Sequence, residues 1–226
     1  MKLTYLGHSC FLVEVPGARL LLDPYLTGNP LASGHAADVA CDFVLCSHGH
    51  EDHTCDALEI SRRNGAPIIA NYEIAEFFAA QGAKTHGLNP GGAHDFPFGR
   101  VKLTLAFHSS SWIENGCITY LGEPCGLLVS AAGKKLYHAG DTALFSDMRL
   151  IGRGGLDAAL LPIGDNFTMG PADALDALDF LRPKLCIPMH YNTWPDIRQD
   201  GARFAADAAN RGHAVRPLRP GESLDI

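Results

Sequence analysis

The chain has no uninterrupted apolar run of the roughly 18 residues that a membrane-spanning helix needs, and its N-terminus, "MKLTYLGHSC", lacks the longer apolar stretch and small-residue cleavage site of a signal peptide. A cytoplasmic location is expected. Basic residues are scarce: Lys and Arg number 18 against 25 Asp and Glu, for a formal charge of −7, and no basic run concentrates them. That balance argues against a nucleic-acid surface, although a metal site can reverse the local field and still admit small anions. No G-x-S-x-G is present, so no serine nucleophile is indicated. The Gly-rich stretches "NPGGAH" and "GRGG" lack the following Lys-Ser/Thr of a phosphate loop. The seven cysteines are odd in number, widely spread and mostly set in apolar strand-like runs, which predicts buried reduced thiols rather than a disulfide framework.

What is present is the composition of a compact α/β protein: 226 residues, 46% hydrophobic and 19% charged. We read residues 1–226 as a single domain. "KLTYL", "CFLVEV" and "RLLLD" are short β-type runs separated by tight turns, so the chain opens as an antiparallel meander. "CDFVLCS" and "APIIA" are buried strands, and "CDALEISRRNG" and "YEIAEFFAAQG" are helices closed by Gly65 and Gly82. In the second half, "RVKLTLAFHSSS" alternates apolar and polar residues as a half-buried strand expected to end at His108. "GLLVSAAGKKLYHAGD" is a hairpin whose second strand is expected to deliver Asp141, and "LCIPMHYN" is a strand ending at His190. "PADALDALDFLRP" is a helix with Pro at its first position, and "DGARFAADAANRG" is the last helix. The pattern of strands followed by βαβα recurs loosely in both halves, giving two sheets with helices outside.

Between strand and helix sits "HGHEDH", His48 to His53, three imidazoles and two carboxylates in six residues. In an extended segment, residues 48 and 50 project to the same side, whereas 52 and 53 lie where the chain turns into a helix, so one loop can serve two adjacent metal ions. The bland alternative is a solvated loop whose acids cap a helix and whose histidines are incidental. Directly after a buried strand, the concentration of neutral imidazoles and carboxylates favours divalent metal binding instead.

The residues carrying this motif resemble the metallo-β-lactamase superfamily. More narrowly, "YLGHSCFLVE", "LLLDPYLTGNP", "HGHEDH", "YHAGDT", "LLPIGDNFTMG" and "PMHYNTWP" resemble the UPF0173-type metal-dependent hydrolases, relatives of the ascorbate-phosphate lactonases. The resemblance implies a four-layer αββα sandwich, two mixed sheets with helices on the outer faces, and a dinuclear metal site on the shared edge of the sheets. It makes His48, His50 and His108 the ligands of one ion and Asp52, His53 and His190 those of the other, with Asp141 bridging. Zinc suits these ligands, with manganese as the alternative.

Such a pair of ions activates water and polarises the bond to be cleaved, so water is the expected nucleophile, steered by Asp52, and a small-molecule ester, lactone, amide or phosphodiester is the expected substrate. His8, in the "GHS" turn, is placed beside the substrate or just behind the ligands, against the alternative of a structural hydrogen bond. Asp23 is expected to orient the ligand loop, and His138 to stand behind the ligands at most. Ser109, Ser110, Asn166, Thr168, Asn192 and Thr193 are candidate pocket residues, and His35, His86, His94 and His213 are read as ordinary. Two rival readings are a nucleic-acid-processing nuclease of the same superfamily, disfavoured by the acidic balance and the absence of a basic arm, and a non-catalytic metal-dependent binding module. The expected partner is a small-molecule substrate, with no nucleic acid and no membrane. A homo-oligomer is left open.

Overall fold

The computed structural model describes residues 1–226. Strands β1 (Lys2–Gly7), β2 (Cys10–Val15) and β3 (Ala18–Leu22) form the antiparallel meander, and β4 (Phe43–Leu45) joins β3 in parallel. Two helices follow, α1 (Glu51–Thr54) and α2 (Ala57–Asn64), then β5 (Ile68–Asn71), α3 (Tyr72–Ala79) and β6 (Thr85–Leu88). The second half contains β7 (Ala93–Phe96), β8 (Gly99–Leu105), a separate ribbon of β9 (Ser111–Glu114) and β10 (Cys117–Tyr120), then β11 (Cys125–Ala131) and β12 (Lys134–His138). It closes with α4 (Met148–Gly152), β13 (Ala158–Pro162), α5 (Pro171–Leu181), β14 (Cys186–Met189), α6 (Gly201–Asn210) and β15 (Ser223–Asp225).

One sheet has the order β15-β1-β2-β3-β4-β5-β6 and the other β14-β13-β12-β11-β8-β7. Period-two side-chain alternation sorts their residues into layers. Leu20, Leu22, Leu45 and Ile69 of the first sheet meet Leu103, Leu127, Leu160 and Ile187 of the second between the sheets. Leu21, Val44 and Ile68 point outward against Ile60 of α2 and Phe78 of α3. Ala159 and Leu161 point outward against α5 and α6 through Leu178 and Phe204. The result is the four-layer αββα sandwich. No helix is long and apolar enough to cross a membrane.

Local signals set the helix ends. The Asn71 side chain accepts the Ile74 N–H at 2.8 Å at the start of α3, and Asp200 does the same for Arg203 at the start of α6. Pro171 occupies the first turn of α5. All seven cysteines are free, and five of them are buried, as the spread of thiols predicts.

Two expectations about strand ends are corrected. β8 stops at Leu105, paired with Cys125, and β12 stops at His138. His108 and Asp141 each lie three residues further on, in loops rather than strands. The loops leave the sheet because they bond to each other: the Phe107 N–H donates to Thr142 Oγ1 at 3.0 Å and the Phe107 carbonyl accepts from Ala143 at 3.0 Å. The short pieces β6, β7, β9, β10, β15 and α4 are each too brief for their sequence to develop a period.

Strands β1, β3, β4, β8, β12 and β14 all run in like direction within their sheets, so their C-terminal loops gather at one rim. The two sheets are stitched there by the Cys125 N–H donating to the Ser47 carbonyl at 3.0 Å. Gly140 fills the seam beside this bond with φ +61°, and a Cβ on it would lie 2.8 Å from Ser47 Cβ and 2.9 Å from the Cys125 oxygen. Gly140→Ala combines a left-handed conformation with overpacking and is expected to cost about 2–4 kcal/mol. Thermal unfolding should show a Tm lowered by about 4–15 °C; an unchanged Tm would mean that the seam is not tight.

Candidate metal centre

The rim loops bring together all seven residues that the resemblance assigns as ligands. His48 Nε2 faces His50 Nδ1 at 3.1 Å, with His108 completing one group of convergent ligand atoms. Asp52, His53 and His190 form a second group, which also takes in His8. Asp141 lies between the groups, its carboxylate 3.6 Å from His108 Nε2, 3.3 Å from His53 Nε2 and 2.9 Å from His190 Nε2.

The ring orientations are fixed from behind. Asp23, fully buried at the end of β3, accepts the Ser47 N–H at 2.7 Å, the Ser47 hydroxyl at 2.6 Å and His53 Nδ1 at 2.8 Å. With its own proton committed to Asp23, the Ser47 oxygen accepts from His48 Nδ1 at 3.0 Å. Asp23 therefore sets both imidazoles, one directly and one through Ser47, and leaves each Nε2 aimed at Asp141. Gly49, between His48 and His50, donates to Ser110 Oγ at 3.1 Å, and a Cβ there would press on Leu121 at 2.8 Å. Only glycine lets the motif lie this close to the wall.

Four buried atoms of the cluster, His53 Nε2, His190 Nδ1, His190 Nε2 and Asp141 Oδ1, make no aligned hydrogen bond, although Asp141 lies within 3.3 Å of His53 and 2.9 Å of His190. An unpaired buried polar atom costs about 1–3 kcal/mol, so their convergence marks a place built for a cation. Electrostatics agree. Burial would raise the Asp52 and Asp141 carboxyls, yet the neighbouring His53 and His190 hold both well below the usual carboxylate range. Burial also opposes charge on His190, but Asp141 beside it raises that ring to about 9. Burial lowers His48, His50 and His108, favouring the neutral form that binds metal. The donor set of imidazole nitrogens and carboxylate oxygens fits a divalent ion such as zinc or manganese.

Two further histidines lie behind these groups. His8 is fully buried and does not face the cleft; its Nε2 donates to Asp52 Oδ2 at 3.1 Å and its Nδ1 accepts from Thr193 Oγ1 at 2.7 Å. Burial pushes its pKa down to about 4, so the ring that contacts Asp52 is neutral. His138 is also buried and satisfied, donating from Nε2 to the Ser9 carbonyl at 2.9 Å and accepting the Gly140 N–H on Nδ1 at 3.1 Å.

A cleft of about 630 Å³ opens over the cluster, lined by His50, Asp52, His108, Asp141 and His190 together with Ser109, Tyr25, Thr27, Gly28, Glu51, Phe167 and Trp194. Ser109 is therefore the one expected pocket residue that lines it, and its Oγ lies 3.4 Å from His50 Nε2. Asn166, Thr168 and Asn192 do not line it. Thr168 bonds its neighbouring carbonyl at Met169, Asn192 accepts the Gln199 N–H within its own loop, and Asn166 is exposed in a tight turn. Three aromatic residues of the same motifs, Tyr25, Phe167 and Trp194, line the cleft instead. Asp56 pins the Tyr25 loop by accepting the Leu26 and Thr27 N–H groups at 2.7 and 2.9 Å. His35, His86, His94 and His213 lie outside the cleft.

Known proteins agree with this geometry. A family profile described as the beta-lactamase superfamily domain matches residues 2–190. A UPF0173 metal-dependent hydrolase of Opitutus terrae is 56% identical over the full length of both chains, and one from Bacillus cytotoxicus is 52% identical, again end to end. The solved structure of Igni18, described as a novel metallo hydrolase from the hyperthermophilic archaeon Ignicoccus hospitalis, superposes with a TM-score of 0.90 at 40% identity, covering 100% of this chain and 98% of that one. Sequence identity of this extent leaves no part of the fold or of the histidine-rich rim outside the match, and the chain belongs to the UPF0173 metal-dependent hydrolases of the metallo-β-lactamase superfamily.

Proposed function

We propose that the rim cluster holds two divalent ions, zinc or manganese, and hydrolyses an ester, lactone, amide or phosphodiester bond of a small molecule. The observation that carries this reading is the set of buried atoms without an aligned hydrogen bond, His53 Nε2, His190 Nε2 and Asp141 Oδ1 among them, at the floor of an open cleft. His48, His50 and His108 would hold one ion, and Asp52, His53 and His190 the other, with Asp141 between them. Ions so held would supply a low-pKa water and polarise the scissile bond.

The chain's own residues do the rest. Asp52 lines the cleft, and one of its carboxylate oxygens is held by His8, so the carboxylate has a fixed direction from which to orient water and accept its proton. Thr193 keeps His8 in the tautomer that can donate to Asp52. Asp23 and Ser47 prevent His48 and His53 from turning away from the floor.

Elemental analysis of metal-loaded protein should find two ions per chain, and activity on esters, lactones or bis-phosphodiesters should vanish with chelator and return with zinc or manganese. Asp141→Ala should lose at least one ion, whereas His138→Ala should retain both. One ion or none in the wild type, or the reverse order of the variants, would refute the ligand assignment.

Thr193→Val removes the hydroxyl that fixes the His8 tautomer, and His8→Ala removes the donor to Asp52. Both should lower kcat by about 10–100-fold, the usual effect of disturbing a group that orients a ligand, with the metal content kept. Wild-type kcat in both variants would show that His8 is a structural hydrogen-bonding residue alone.

A further inference from the structure

The cleft wall opposite in character to the metal floor is aromatic. Tyr25 and Trp194 flank the buried His8 ring, with centroids 5.6 and 5.0 Å from it, Tyr25 edge-on and Trp194 tilted by 33°. Tyr25 is further held by its hydroxyl donating to the Gly28 carbonyl at 3.2 Å. Both rings are thus set by the same residue that orients Asp52.

The third ring, Phe167, is 52% exposed, and a tight turn presents it. Asp165 and Asn166, of the residue types that enter the left-handed region most readily after glycine, adopt φ +62° and +38° and turn the chain sharply. The turn is closed by the Thr168 N–H donating to the Asp165 carbonyl at 2.9 Å and tied to the floor by the Met169 N–H donating to the Thr142 carbonyl at 2.9 Å. Of the exposed large apolar side chains of this protein, Phe167 is the one that lines the cleft, on an anchored turn, where a bound molecule could cover it.

Charge completes the picture. None of the lining residues is Lys or Arg, and the exposed Glu51 carboxylate stands on the wall beside Asp52. Ions on the floor would take the anionic character that develops at the scissile group, but a second anion on the substrate would meet the three rings and Glu51, with only the neutral Thr27 and Ser109 hydroxyls and no cationic side chain to repay its lost hydration.

We propose that the cleft selects substrates carrying an uncharged apolar or aromatic group next to the scissile bond, gripped by Phe167, Tyr25 and Trp194, and that Glu51 turns away those with a second anionic group. The inference rests on the hydrolase reading for its catalytic test and on the cleft alone for its binding test.

The test compares two esters of metal-loaded protein with one leaving group and one chain length, 4-nitrophenyl butyrate and 4-nitrophenyl hemisuccinate, which differ in a terminal carboxylate. The kcat/KM for the butyrate should exceed that for the hemisuccinate by about tenfold or more, equivalent to about 1.4 kcal/mol. Glu51→Gln should narrow the gap by improving the hemisuccinate. Phe167→Ala should raise KM for the butyrate severalfold, with kcat and metal content near wild type. Equal or reversed preference, or a Phe167→Ala variant with unchanged KM, would overturn the proposal. If neither ester shows chelator-sensitive turnover, the hydrolase reading fails for esters, and the selectivity is decided by binding: in a Trp112→Phe background, quenching of Trp194 fluorescence should show tighter binding of butyranilide than of succinanilate to the metal-loaded protein, and the opposite order would overturn it.

Discussion

The arrangement of the rim depends on one buried carboxylate. Asp23 accepts three hydrogen bonds, from the Ser47 backbone, the Ser47 hydroxyl and the His53 ring, and so converts the end of β3 into the template for the ligand loop that follows β4. Its position is itself strained, with φ +45°. A residue in that region costs of order 1–3 kcal/mol and persists only where its surroundings over-determine it. Here the three donors do so, and in return the chain turns sharply enough for the carboxylate to sit under the loop.

The same device recurs around the rim. His8 and His190 also have left-handed backbones, with φ +58° and +53°. Both leave the ends of strands, β1 and β14, and their rings reach the same place, centroids 4.1 Å apart; the His190 N–H donates to the His8 carbonyl at 3.0 Å, linking the two sheets. Together with the Cys125–Ser47 bond and the close fit of Gly140, this makes the seam between the sheets and the floor of the cleft one structure. Forces that hold the sandwich together also hold the ligand atoms at fixed separations, which is the pre-organisation a metal centre needs.

Floor and wall divide the work. The floor gathers charged and polar atoms that folding alone would leave unpaired, and the wall supplies rings. His8 belongs to both, donating to Asp52 and packing against Tyr25 and Trp194, so the group that sets the direction of the carboxylate also sets the surface against which a substrate would lie.

The residues of the rim cluster were legible in the sequence because "HGHEDH" packs imidazoles and carboxylates into one turn, and because the resemblance to the metallo-β-lactamase superfamily pointed to His108, Asp141 and His190. The meander of 2–22, the helices at 57–64, 72–79, 171–181 and 201–210, and the free thiols were legible because period, capping residues and composition are local properties. The strand ends at 105 and 138, the burial of His8, the part played by Ser47, and Phe167 in place of Asn166 and Thr168 were not. Each depends on a partner far along the chain: Thr142 for Phe107, Thr193 for His8, Asp23 for Ser47 and Thr142 again for the turn that carries Phe167. The sequence by itself determined which residues can bind a cation and which segments alternate; only the tertiary structure decided which of them face the cleft, because facing is set by hydrogen bonds across the seam between two sheets, and no local pattern records those.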